Sequence, residues 1–265
     1  MSFKKLGLSA LAATAILASL PAQAHFQLAY SPEVNLQQSG DLPLKLVFWH
    51  PFENGHVMDM ETPQAVYAIN RGKKIDLMGS LKPISFQGSE NAGAAFEATL
   101  PVKRSGDYVV VVEPAPYFEA SEDIFIQQIT KSYFNRSEVP TDWMEPQGLK
   151  TEIIPLNRPT NIVAGSTFSG KVLSDGKPLA GAEIEIEYMA AEPDMENNRA
   201  LEATASPLPG GSLVAVTDAN GTFTFGVPKA GFWGFAALGT GPDKVHEGKE
   251  LSQDAVIWVR AYAMD

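Results

Sequence analysis

The chain has four histidines and no cysteine, so any soft-metal chemistry must run through imidazole, thioether, carboxylate or amine groups. Two of the histidines, His50 and His56, bracket the turn-forming run Pro51-Phe52-Glu53-Asn54-Gly55, and Met58 and Met60 follow at alternate positions. If the chain leaves that turn extended, His56, Met58 and Met60 fall on one face by the period of two. A hairpin of this kind brings His50 and His56 together at its mouth. A third histidine, His25, directly follows Ala22-Gln23-Ala24. A histidine that begins a chain carries an amine and an imidazole that close a six-membered ring on a metal. The amine's ordinary pKa of about 7.7–8.0 lets a metal displace its proton at neutral pH. His25, His50, His56, Met58 and Met60 thus form a candidate nitrogen–sulfur site suited to Ni, Co or Cu, while Mg and Ca prefer oxygen shells. Each residue also has a structural use: methionine fills irregular core gaps, and a histidine at a strand end hydrogen-bonds backbone.

The terminal chelate requires that His25 be the first residue of the mature chain. Lys4 and Lys5, the short apolar stretch 6–20, Pro21 and the small-x-small triplet Ala22-Gln23-Ala24 read as an export signal over 1–24, cleaved after Ala24. A spanning helix needs roughly 20 apolar residues, and this stretch ends before that at Pro21. The expected location is the periplasm. Loss of Lys4 and Lys5 from 20 basic residues, against 31 acidic ones, takes the formal charge from −11 to −13. That sign argues against nucleic acid, whose binding rests on Lys and Arg neutralising phosphates. It suits weak long-range attraction of cations, and equally a surface that is acidic only for solubility.

The elements that must position these residues are strands. Gly and Pro punctuate the sequence at short intervals, with β-branched and aromatic runs between them. Residues 42–49, 64–70, 94–100 and 108–113 read as strands, and 123–134, ambiguous by periodicity, reads as strand on composition. A second unit follows the 155–159 connection, with strands at 167–173, 182–188, 214–217, 222–227, 232–237 and 256–262. In 182–188 the alternation predicts Glu183, Glu185 and Glu187 facing water and Ile184, Ile186 and Tyr188 facing a core. Residues 189–212 read as a long polar loop, and His246 as a solvent-exposed loop histidine. The fold class expected is all-β. Two β-sandwich domains are expected, 25–157 with the candidate site and 158–265, the latter transthyretin-like or immunoglobulin-like.

Signatures of catalysis are missing. The chain has no Gly-x-Ser-x-Gly elbow, no His-Glu-x-x-His and no phosphate-cradling glycine loop, so an enzyme is not expected.

Several blocks resemble a known family. Trp49-His50-Pro51-Phe52-Glu53 with Met58-x-Met60 and Pro63, Pro116-Tyr117-Phe118-Glu119 with Ile124-Phe125-Ile126, and Glu152-Ile153-Ile154-Pro155-Leu156 lie in the first half. Thr217-Asp218-x-Asn220-Gly221 and Ala230-Gly231-Phe232-Trp233-Gly234-Phe235 lie in the second. Together they resemble the exported two-domain β proteins associated with bacterial nickel and cobalt uptake, a family of unknown function. The resemblance implies a metal-binding accessory that takes Ni or Co, with Cu or Zn as alternatives, through His25, His50 and His56, beside a membrane metal transporter. It also implies a histidine in the Ile126-Gln127-Gln128-Ile129-Thr130-Lys131 neighbourhood, where this chain has Gln128. Two other readings stay open: a periplasmic copper carrier or histidine-brace protein, and a β-sandwich adhesion or assembly module whose histidines are incidental.

Overall fold

The computed structural model describes residues 25–208 and 213–264. The expected export signal and its cleavage point at Ala24 lie outside the described residues. The fold is all-β, and no helix among the described residues is long and apolar enough to cross a membrane. The principal strands of the first half are β1 (Phe26–Tyr30), β2 (Gly40–Trp49), β3 (Val57–Met58), β4 (Ala65–Asn70), β5 (Lys82–Gln87), β6 (Ala92–Val102), β7 (Gly106–Glu113), β8 (Tyr117–Glu119) and β9 (Ile124–Arg136). The second half supplies β10 (Thr151–Pro155), β11 (Thr167–Ser174), β12 (Glu183–Tyr188), β13 (Leu213–Val216), β14 (Thr222–Gly226), β15 (Gly231–Ala237) and β16 (Lys249–Tyr262).

These strands form three sheets. A seven-stranded sheet runs β1-β2-β6-β5 and continues through two short strands, Arg199–Ala200 and Pro193–Asp194, with β3 on β2. A twelve-stranded sheet runs β13-β12-β15-β16-β9-β7-β4 and ends on Lys73–Asp76. A four-stranded sheet holds β10, β11 and β14 with the short strand Lys177–Pro178 on β11. At the centre of the largest sheet, β9 and β16 pair in parallel from Phe125 opposite Leu251 to Ser132 opposite Trp258. The sheet therefore passes without interruption from the first half of the chain to the second, across the division expected at residue 157.

Two hydrophobic cores lie on opposite faces of this central sheet. The run Val109-Val110-Val111-Val112 in β7 explains why: Val110 and Val112 belong to one core, Val109 and Val111 to the other. A strand buried on both faces reads as a continuous apolar run rather than an alternation. The first core packs the seven-stranded sheet, through Leu28, Leu46, Trp49 and Phe86, against Phe232, Val256 and Trp258. The second packs Ile153, Phe168, Val172 and Phe223 against Ile184, Ile186 and Phe235. Fully burying each such aliphatic or aromatic side chain is worth about 1.5–3 kcal/mol relative to leaving it exposed.

The same geometry corrects the expectation for β12. Ile184 and Ile186 face the second core as predicted, but Glu185 and Glu187 are buried rather than solvated, and only Glu183 is exposed. Alternation predicts a wet face only when nothing covers it, and here the other face of the sheet is also packed. Burial, aided by the nearby Asp254, Glu183 and Glu122 carboxylates, pushes Glu185 up to about 7. Burial likewise pushes Glu187 well above the ordinary carboxylate range.

Of the segment expected to be a polar loop, the described residues 189–208 are more ordered than that. Met189 and Ala191 enter the first core, and Pro193–Asp194 pairs with Arg199–Ala200. Arg199 then pairs with Gln87 at the edge of the seven-stranded sheet. The segment thus straps the second half of the chain onto the first.

Candidate functional site

The local register brings two of the candidate histidines together. Strand β1 runs antiparallel to β2, with Phe26 opposite Trp49 and Gln27 opposite Phe48. Continued by one residue, that register sets His25 opposite His50, and the two rings lie 4.5 Å apart between centroids. His50 is buried and the His25 side chain is 13% exposed. The carboxylate of Glu119, at the end of β8, stands beside them with Oε2 3.3 Å from His25 Nε2. Phe48 and Tyr117 close the pair from the side, their centroids 5.5 and 6.3 Å from that of His25.

Electrostatics tie Glu119 into this cluster. Partial burial raises its pKa, but the hydroxyl and backbone N–H of Ser121 and the His25 imidazole outweigh burial. Net, the carboxyl lies below its ordinary value. Tyr117 is pushed up by burial and by the Glu119 and Asp59 carboxylates, so it remains a neutral phenol at physiological pH. Glu119 was not among the residues singled out for chemistry. Its signal was present in the Pro116-Tyr117-Phe118-Glu119 block, but a lone glutamate 94 positions from His25 has no spacing that announces a contact.

The hairpin expected after His50 is present, with Phe48 opposite Met58 and Trp49 opposite Val57. Asn91 clamps it: its Oδ1 accepts the Val57 N–H at 2.7 Å and its Nδ2 donates to the Val57 carbonyl at 2.8 Å. Gly93 allows this approach, since a Cβ there would meet Val57 Cγ1 at 2.7 Å. The ladder stops at Trp49 and Val57, and residues 51–54 form a turn, with Asn54 at φ 52°, closed by the Gly55 N–H on the His50 carbonyl at 3.1 Å. His56 is solvent-exposed while His50 is buried. Met58 is 1% exposed and packs into the first core. Met60 is 8% exposed, and its Sδ accepts a hydrogen bond from Gln27 Nε2 at 3.6 Å. The predicted common face of His56, Met58 and Met60 is therefore split between solvent and core. His246 lies apart on a short strand, half-exposed, with its ring edge-on to Phe125 at 4.7 Å.

Gln128 lies beneath the site. It is buried, its Oε1 accepts the Gln27 backbone N–H at 2.8 Å, and its Nε2 donates to Asp254 Oδ2 at 3.3 Å. Asp254 accepts further bonds from Ser252 Oγ and the Gly239 N–H, yet burial raises its carboxyl above the ordinary value. Gln27 and Gln128 form the floor of a cavity of about 270 Å³ that opens beside His25 and shares Phe48 and Tyr117 as walls.

Among the described residues, no group of three or more His, Cys, Asp or Glu side chains is arranged to hold a metal ion by side chains alone. His25, His50 and Glu119 lie close together but do not form such a set. A backbone amine at residue 25 is the donor that peptide linkage removes and chain cleavage restores.

A family model described as Domain of unknown function (DUF4198) matches residues 22–241. No curated protein sequence matches the chain. Among solved structures, the D0-D1 domain of Intimin is 13% identical, over 86% of this chain and 95% of that one, with a TM-score of 0.22. The fibronectin(III)-like modules of Clostridium thermocellum CbhA are 10% identical, over 89% and 95%, also with a TM-score of 0.22.

Proposed function

Because the chain belongs to the DUF4198 family, whose description assigns no activity, we propose a function from the chemistry at His25: an exported accessory that captures a transition-metal ion and passes it to a membrane uptake system. The observation that carries this reading is the His25–His50 ring pair, 4.5 Å apart, at the expected mature terminus. Cleavage after Ala24 frees the His25 amine, and that amine with two imidazoles makes a three-nitrogen donor set. Nitrogen sets of this kind favour Ni(II) and Cu(II) in tetragonal geometry, with Co and Zn also bound. Glu119 has two roles available. It either holds the second nitrogen of the His25 imidazole, fixing tautomer and ring orientation, or supplies an oxygen to the ion. His25 and His50 are the ligands in this reading. His56, being exposed, and Met58, being in the core, lie outside the shell. Met60 faces the adjoining cavity.

The test is a titration with Ni, Co, Cu and Zn of two forms, one beginning at His25 and one carrying a single extra residue before it. We expect the extended form to bind at least about tenfold more weakly, because its amine has become an amide. The His50→Ala form should lose affinity similarly, and His56→Ala should not. Equal affinities for the native and extended forms would remove the terminal chelate from the model. Electron paramagnetic resonance of the Cu-loaded form distinguishes a three-nitrogen set from a single surface imidazole.

A further inference from the structure

The cavity beside His25 has a chemistry of its own that the metal reading does not use. Its walls are aromatic: Phe48, Tyr117, Phe118 and Phe125 line it. Phe48 meets Tyr117 edge-on at 5.5 Å, and the Phe118 and Phe125 centroids lie 5.1 Å apart, so the rings line it as two contacting pairs. Two exposed carboxylates, Asp59 and Glu61, complete the wall, and the lining holds no Lys, Arg or His.

The floor narrows the choice of ligand. Gln27 Nε2 donates to the Leu28 and Val47 carbonyls, and both ends of the Gln128 amide are engaged, by Gln27 and Asp254. The amide N–H donors of the floor are therefore engaged by the protein, which leaves few donors for a neutral polar ligand or an anion. An anion would meet Asp59 and Glu61. A purely apolar ligand would strip water from those carboxylates without replacing it, which is costly. A cation with an apolar body satisfies both features, resting on ring faces while its charge meets the carboxylates. Outside the lining, Phe118 already meets one cation: Lys249 Nζ lies 5.1 Å from its centroid while pairing with Asp123. At about 270 Å³ the space lies just under the roughly 300–1,000 Å³ of sites for drug-sized ligands, so the occupant is small.

We propose that this cavity binds a small organic ammonium cation, held by the Phe48, Tyr117, Phe118 and Phe125 rings and by the Asp59 and Glu61 carboxylates. The cavity shares Phe48 and Tyr117 with the surroundings of His25, but the proposal does not depend on a metal there.

The experiment is calorimetric titration of the full mature chain in metal-free buffer. The probes are choline and benzyltrimethylammonium, with 3,3-dimethylbutan-1-ol as the neutral isostere of choline and phenylacetate as an anion. The expected result is binding of at least one cation at millimolar concentration or below, and no binding of the neutral or anionic probe. The Asp59→Asn, Glu61→Gln double variant should weaken the cation at least about tenfold, and Phe125→Leu by a comparable factor. Asp59 Oδ1 accepts the Ala94 N–H, a bond that asparagine retains, so the double variant should keep its melting temperature. The proposal is overturned if neither cation binds, if 3,3-dimethylbutan-1-ol matches choline, or if the double variant binds the cation unchanged. Because no metal is present, failure here leaves the His25 titration untouched, and the converse also holds.

Discussion

Replacing Glu185 by Gln tests the buried-carboxyl geometry most directly. Glu185 sits on the face of β12 that turns away from the second core, and it is 3% exposed. Its carboxyl is pushed from an ordinary 4.5 up to about 7, first by burial and then by Asp254, Glu183 and Glu122. A displacement of that size disfavours the ionised native state by about 3 kcal/mol once the group is fully charged. The sign follows from proton binding. The native pKa lies above the unfolded one, so between pH 4.5 and about 7 the native state holds more protons. Stability from this group is complete below the unfolded value and is lost as pH rises through about 7. Glutamine carries no proton to lose. The variant should therefore match the parent near pH 4 and exceed it by about 2–3 kcal/mol at pH 7. For a chain of this size that is a rise of roughly 5–10 °C in melting temperature. Urea unfolding of both proteins across this pH range, followed by tryptophan fluorescence, measures the difference directly. A gap that stays constant with pH, or a variant less stable than the parent at pH 7, would refute the argument that this face of the sheet is dry.

Two further outcomes follow from close packing and buried charge. Lys131 and Glu152 form an ion pair at 2.8 Å with both side chains 1% exposed, and burial lowers the Lys131 pKa despite its partner. Lys131→Met should cost about 3–5 kcal/mol by leaving the buried Glu152 charge without its cation. Adding Glu152→Leu should not restore the parent's stability, because the Gln147 and Gly148 N–H groups that donate to Glu152 then lose their acceptor, as chemical denaturation will show. A Cβ at Gly234 would meet Trp258 Cη2 at 2.8 Å and Phe26 Cδ1 at 2.9 Å. Gly234→Ala should then cost about 1–3 kcal/mol, measured by thermal unfolding, and displace Phe26 next to His25. If metal affinity survives that displacement unchanged, the packing under His25 does not position it.

Much of this molecule is legible in the amino-acid order alone. Gly and Pro spacing with β-branched runs marks the strands, because strand and turn preferences are local and each needs only a few neighbours. The hairpin after His50 and the strand at Ile124–Arg136 are of this kind. The residue types of the candidate site, His25 above all, were also readable, since donor chemistry belongs to the side chain. Local order could not supply coverage and register. Glu185 and Glu187 alternate as a wet face should, and only the second packed face of the central sheet buries them. The run 189–212 is polar enough for a loop, and only docking on Gln87 and the first core orders its described part, residues 189–208. At the site, the register of β1 on β2 places His25 against His50, and β8 brings Glu119 to them from far along the chain. The turn leaves His56 in solvent, and the first core claims Met58. Pairing between distant strands depends on which faces find partners, and that is a property of the assembled sheets rather than of any local stretch of sequence.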